Sequence, residues 1–181
     1  MSIWNQIIKP TLVLILVCAT VSAALAVTYN LTGVADLGSG YTAEQLSEFS
    51  AYALPDADKL TEIKPSFEDE SLLNAYKAEN GAGIAVIVNQ KGYSSNGITM
   101  MVGFNPDGEI QGISIVAQSE TPGIGDKLAN NDAEYLKNFI GSKKGSMYAD
   151  IVAGATYTSK GIIAGCEVAT ELFEKLKPEV L

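Results

Sequence analysis

Apolar and polar positions along the chain fall into distinct regimes, and each predicts a different kind of element. From Pro10 to Ala35 no side chain is charged, and Thr11 to Val27 reads TLVLILVCATVSAALAV, interrupted only by Thr11, Thr20 and Ser22. About 20 such residues at about 1.5 Å each cover about 30 Å of hydrocarbon, so the pattern predicts a transmembrane helix over 10–29. Trp4 and Tyr29 flank it where amphipathic rings settle at a membrane interface, and Ala19, Ser22, Ala23 and Ala26 would let a second helix approach closely. A cleaved signal peptide is the alternative, since Ala24-Leu25-Ala26 has the A-x-A form, but the apolar run exceeds the usual ~7–15-residue core. Lipid attachment at Cys18 is disfavoured by the large Leu16 and Val17 before it. Lys9 lies on the short side, so residues 1–9 are expected in the cytoplasm and the remainder of the chain outside it.

Past this run the pattern changes. Residues 30–41 are Gly-rich and polar and suit a tether. Thr42-Ala43-Glu44-Gln45 has the capping-box form and opens a helix carrying Leu46, Phe49 and Leu54, which Pro55 ends. Lys59 to Asn80 is mixed, with a short helical turn around Leu72 to Lys77 as its one suggestion. Gly83–Asn89, Ile98–Phe104 and Glu109–Gln118 are strand-like runs, the last two joined by Asn105-Pro106-Asp107-Gly108, which predicts a β-hairpin. A helix over Asn131–Ile140 would place Tyr135, Leu136 and Phe139 on one side, and a strand is expected at Tyr148–Ala153. The closing helix is predicted from Ser159: Ile162, Cys166, Ala169, Phe173 and Leu176 recur at steps of four and three, Glu167, Glu171 and Glu174 take the wet side, and Pro178 stops it. Short consecutive strands broken by helices predict an α+β domain over 42–181.

Charge and composition narrow what this domain can do. Net charge is −9, and because every acidic residue lies at Asp36 or later, no basic surface is available for nucleic acid. The absence of His removes Ser-His and Cys-His pairs, His-ligated haem and most catalytic zinc sites. Cys18 and Cys166 are the two cysteines; they cannot hold an iron–sulfur cluster, no C-x-x-C occurs, and no metal site is expected. Any electron transfer would need a borrowed cofactor.

Two segments carry candidate chemistry. Glu120-Thr121-Pro122-Gly123-Ile124-Gly125-Asp126-Lys127 follows the second hairpin strand; with Gly123 and Gly125 it forms a loop poor in side chains, over which a ligand can lie, and Glu120 and Thr121 supply polar contacts. An ordinary strand-to-helix loop fits equally. Asp150 to Ser159 (DIVAGATYTS) runs from strand through a small-residue turn into the closing helix. Thr158 or Ser159 can cap that helix, Gly154 and Ala155 keep neighbouring backbone open, and the amino-terminal amides favour an anion beside Thr156. A capped helix without a ligand fits as well. Gly161 and Gly165, four apart, allow another element to pack closely on the helix.

The D-x-x-x-G-A-T frame of Asp150, Gly154, Ala155 and Thr156, followed by Thr158-Ser159, resembles the flavinylation motif of the FMN-binding domain. This domain occurs in the G subunit of Rnf electron-transport complexes and the C subunit of Na⁺-translocating NADH:quinone reductases. The Glu120–Gly125 element resembles the family's second signature, and Ala53-Leu54-Pro55, Lys91-Gly92-Tyr93 and Asp107-Gly108 are also similar to it. The resemblance implies FMN joined through a phosphodiester to Thr156 by a dedicated flavin transferase that uses FAD. It further implies contacts from Glu120, Thr121, Gly123, Gly154, Ala155, Thr158 and Ser159. Ala153 departs from the pattern, which has Ser or Thr there.

With no dinucleotide G-x-G-x-x-G frame and no cluster ligands, the chain would be a relay and not a complete enzyme. The resemblance implies an electron-carrying subunit of a ferredoxin:NAD⁺ oxidoreductase in the cytoplasmic membrane, coupled to Na⁺ or H⁺ movement by neighbouring membrane subunits. The alternatives are the quinone-reductase C subunit, which is typically longer, a stand-alone anchored flavoprotein electron donor, and an anchored interaction domain without cofactor.

Overall fold

A computed structural model describes residues 4, 8–31, 40–147 and 149–180, without the side chains at 10, 26 and 28–31. Two compact units result, residues 1–41 and 42–181. In the first, α1 (Lys9–Leu31) is a continuous helix of 23 residues whose described side chains are all exposed. Among the described residues no helix is long and apolar enough to cross a membrane; the unbroken stretch of described side chains in α1 covers only 11–25. Most of the predicted tether, 32–39, and the Tyr29 side chain lie outside the described residues.

The second unit is built on a sheet of five antiparallel strands in sequence order: β1 (Leu60–Ile63), β2 (Leu72–Ala78), β3 (Ile84–Gln90), β4 (Ile98–Phe104) and β5 (Ile110–Ala117). The predicted α+β class with antiparallel sheet and flanking helices is what forms. Alternation in the central strands divides two faces. Ile84, Val86 and Val88 of β3, Ile98, Met100, Val102 and Phe104 of β4, and Ile113 and Ile115 of β5 share one core with α4 (Thr156–Val180). α4 lays Ile162, Cys166, Ala169, Phe173 and Leu176 into it, all at zero exposure, while Glu167, Glu171 and Glu174 stay wet. Phe104 and Phe173 stack with centroids 4.9 Å apart.

The opposite face is covered by α2 (Ala43–Ala53), which opens with the predicted capping box: Gln45 N donates to Thr42 Oγ1 at 3.2 Å and Thr42 N to Gln45 Oε1 at 2.9 Å. Its last carbonyls rest on Gly103 of β4 and Gly112 of β5, which are cross-strand partners; a Cβ at either would collide with Ala53 O or Tyr52 O. The hairpin turn is closed by Asn105, whose Oδ1 accepts from Asp107 N and Glu109 N at 3.0 and 2.9 Å.

Four sequence expectations need correction. Leu72–Lys77 is strand, paired on both edges by β1 and β3, and Leu60–Ile63 is a further strand the mixed pattern hid. Over 131–140 only α3 (Glu134–Lys137) is α-helical; the rest consists of turns, because this segment closes the outer edge of β5 through Gly141 N to Ile110 O at 2.8 Å, Ile110 N to Ser142 O at 3.0 Å, and Ile115 N to Asn131 Oδ1 at 2.5 Å. Tyr135, Leu136 and Phe139 are nonetheless buried as expected. Residues 149–153 form no strand, and Tyr148 lies outside the described residues. Finally, α4 begins at Thr156, not Ser159, and passes Pro178 to Val180. Proline's missing N–H costs little in a solvated last turn, and Lys77 Nζ to Val180 O at 2.7 Å, together with the Ser66–Glu179 pair, holds that end.

Candidate functional site

The turn before α4 brings the second candidate segment to the surface. Ala155 N donates to Val152 O at 3.1 Å, and Gly154 closes the turn at φ +87°, a conformation that only glycine adopts freely. Space does not dictate glycine here, since an added Cβ would meet nothing within 4 Å. Ser159, fully buried, pins the turn from below: its Oγ accepts from Val152 N at 3.1 Å and donates to Ala155 O at 2.9 Å. Tyr135 adds a second pin by donating from its phenol to Asp150 O at 3.0 Å, and burial pushes that phenol above its ordinary value. Thr156 is thereby presented as the first residue of α4 with its side chain exposed.

The two hydroxyls expected to cap the helix do not do so. Thr158 Oγ1 donates to Glu120 Oε2, and Ser159 Oγ is turned into the preceding loop. The first N–H to find a partner in the ladder is Ser159 N, on Ala155 O at 2.9 Å, so the amides of Thr156, Tyr157 and Thr158 precede the ladder at the positive end of the helix dipole.

The first candidate segment packs against this turn. Thr121 O accepts from Ile124 N at 3.1 Å and Gly125 N at 3.0 Å, and Gly123 takes φ +76°. Gly125 must stay bare, because a Cβ there would come within 2.5 Å of Thr158 Oγ1. Between the two segments lies a cavity of about 350 Å³ lined by Tyr93, Thr121, Ile124, Gly125 and the stretch from Gly154 to Thr158. Tyr93 and Tyr157, 68% and 64% exposed, have ring centroids 6.3 Å apart at 55°, and Ile124 is half-exposed beside them.

Of the sequence-predicted residues, Thr121, Gly154, Ala155, Thr156 and Thr158 line this cavity. Gly123 sits in the adjoining turn, and Ser159 lies beneath. Glu120 is 4% exposed, and its oxygens are turned inward, toward Tyr93 N at 3.1 Å, Ser94 N at 3.0 Å and the Thr158 hydroxyl. Sequence reasoning did not single out the Tyr93 and Tyr157 walls as site residues. Their signal was two tyrosines adjoining glycine or small-residue turns, Gly92-Tyr93 and Ala155-Thr156-Tyr157, positions where an aromatic ring has little local side chain to pack on.

None of the nine lining residues carries charge. An anion here would be met by helix amides and hydroxyls, not by a lysine, and a flat apolar group would be met by two phenol rings and an isoleucine. An FMN fits this donor set: phosphate at the first turn of α4, an aromatic ring system at the tyrosine walls.

Comparison with known proteins agrees with this geometry. Residues 92–171 match the FMN-binding domain family, a span containing every residue that lines the cavity. Over 96% of its length the chain is 27% identical to the G subunit of the Na⁺-translocating ferredoxin:NAD⁺ oxidoreductase complex of Acetobacterium woodii, covering 94% of that protein. It is 28% identical to the G subunit of the ion-translocating oxidoreductase complex of Shewanella piezotolerans, over 76% of each chain. The corresponding G subunit of Stutzerimonas stutzeri is 28% identical over 86% of this chain and 76% of its own. The resemblance to G subunits read from the sequence therefore holds along most of the chain, and its residues 92–171 match the FMN-binding domain family.

Proposed function

We propose that this chain is the FMN-carrying electron-relay subunit of an ion-translocating ferredoxin:NAD⁺ oxidoreductase in the cytoplasmic membrane, with its flavin esterified through phosphate to Thr156. When bound, FMN accepts electrons in pairs and releases them singly, chemistry this chain's side chains lack. The observation that carries the covalent reading is the cavity lined by uncharged residues around an exposed Thr156 at the start of α4. A freely dissociating phosphate dianion would want a Lys or Arg; a diester carries one charge fewer and needs only dipoles.

Attachment would join Thr156 Oγ to the FMN phosphorus of FAD under a flavin transferase, breaking the pyrophosphate linkage, with AMP leaving and the hydroxyl proton lost. Ser159 and Tyr135 hold the turn that presents Thr156, Gly154 gives it its bend, and the first-turn amides of α4 face the phosphate oxygens. Tyr93, Ile124 and Tyr157 would supply the apolar contacts for the ring system. Ala153 leaves one fewer hydroxyl in this turn than the family pattern has.

Intact-protein mass after co-expression with the transferase tests this. We expect the mass of one FMN less water on the Thr156 peptide, and a folded but unmodified Thr156→Ala protein. An unmodified wild-type chain, or flavin surviving denaturation on Thr156→Ala, would refute it.

In this reading α1 is a single membrane span with residues 1–9 cytoplasmic and the flavin domain outside, supported by the uncharged run from Pro10 to Ala35 and by Lys9 before it. Protease added outside spheroplasts should digest the 42–181 unit, and its protection would reverse the orientation. With no charged side chain in the apolar run, ion movement falls to other membrane subunits.

A further inference from the structure

We propose that Glu120 is a positioning residue of this site: its buried carboxylate sets the separation between the Tyr93 wall and the first turn of α4, and does not touch the flavin. The inference rests on the flavin reading for its purpose, but its geometry belongs to this chain alone.

Three donors from two separate segments converge on one side chain. Tyr93 N reaches Oε2 at 3.1 Å, Ser94 N reaches Oε1 at 3.0 Å, and Thr158 Oγ1 donates to Oε2. The donors lie 27, 26 and 38 positions away in sequence, so the carboxylate ties together stretches that local structure does not join. Each tied residue adjoins or carries a wall of the cavity: Tyr93 bears one ring, and Thr158 follows Tyr157, which bears the other.

Two glycines leave room for this carboxylate and nothing larger. A Cβ on Gly92 would come within 2.5 Å of Glu120 Oε1, and one on Gly125 within 3.0 Å of Oε2. With 4% of its surface exposed and no cation bonded to it, Glu120 depends on all three donors to offset the cost of burial. Glu120→Gln keeps the volume but in either amide orientation turns an NH₂ donor against a backbone N–H, that of Tyr93 or of Ser94. Thr158→Val keeps the shape and removes one donor only.

The test uses the full chain purified in detergent after co-expression with the transferase. It compares wild type, Glu120→Gln, Thr158→Val and a stability control, Ile87→Ala, on the sheet face not packed by α4. Glu120→Gln and Thr158→Val should still carry flavin, yet shift its visible circular dichroism and midpoint potential, with Ile87→Ala moving neither. Amide exchange at Tyr93 and Ser94 should quicken roughly tenfold or more in Glu120→Gln, with or without flavin, as expected for losing a hydrogen bond to a charged group.

Unchanged spectrum and potential in flavin-loaded Glu120→Gln, or unchanged exchange at both amides, would overturn the proposal. Should Glu120→Gln not fold, Thr158→Val decides on the flavin signals. A wild-type chain without flavin would defeat the functional reading and leave the exchange measurement to decide the role of Glu120.

Discussion

Removing the Ser159 hydroxyl isolates what holds Thr156 in place. The fully buried Oγ makes two bonds, accepting from Val152 N at 3.1 Å and donating to Ala155 O at 2.9 Å. In Ser159→Ala, Ala155 O keeps its bond from the backbone N–H of residue 159, at 2.9 Å, so the acceptor side loses little. Val152 N loses its partner in a half-buried position, where an orphaned donor costs about 1–2 kcal/mol. For a unit the size of 42–181, each kcal/mol moves the midpoint by about 3–5 °C, so calorimetry should find Tm lower by roughly 3–10 °C. The turn from Val152 to Ala155 would lose its pin at the residues that precede Thr156. The fraction of chains carrying flavin, read by intact mass after a short co-expression with the transferase, should therefore fall while some loading persists. An unchanged Tm with full loading would show that the hydroxyl pins nothing and that the turn is held by Gly154 and Tyr135 alone.

Gly112→Ala should drive a Cβ into Tyr52 O, and with Gly103 opposite already against Ala53 O, α2 has no room to settle. A loss of about 1–3 kcal/mol is expected by chemical denaturation, and an unchanged midpoint would mean that α2 does not rest on these two strands. Acid should destabilise the domain. Glu109 is held below its ordinary 4.5 by Asn105 and then Lys143, Asp69 below 3.8 by Lys175, and Glu179 below 4.5 by Ser66. Carboxyls depressed in the folded state lend stability that is present above their unfolded values and lost as pH falls through the folded ones, so Tm should hold from neutral pH to about 5 and fall below about 4.5. A Tm flat down to about pH 3 would refute these pairings.

Where one face of an element is buried by its own periodicity, the sequence was sufficient. The α4 stripe, the α2 capping box and the hairpin across Asn105–Gly108 each have local patterns that tertiary structure reinforces. β1 and β2 were not legible because Lys59–Asn80 lacks alternation; Leu72–Lys77 becomes strand through pairing on both edges, and Leu73 stays exposed although it is apolar. Such a strand is decided by its neighbours, since strand preference measures fit to a sheet more than a property of the residues. The segment 131–140 failed as a full helix for a related reason: Asn131 at its start and Gly141 and Ser142 just past its end are bonded to the open edge of β5, a partner that no window of local sequence reveals.

At the site, the two loops that residue types singled out line one cavity, but the hydroxyls expected to cap α4 have other partners. Ser and Thr near a helix start normally read as caps. Here Thr158 and Ser159 lie inside the first turn of a helix that begins at Thr156, and each hydroxyl is drawn to a buried partner, Glu120 or Ala155 O. The capping position of α4 falls on Ala155, whose methyl group can accept nothing. Glu120, a residue the sequence offered as a ligand contact, takes the Thr158 hydroxyl together with the amides of Tyr93 and Ser94. A carboxylate 38 positions away thus sets where that hydroxyl points, a partner that local sequence does not reveal.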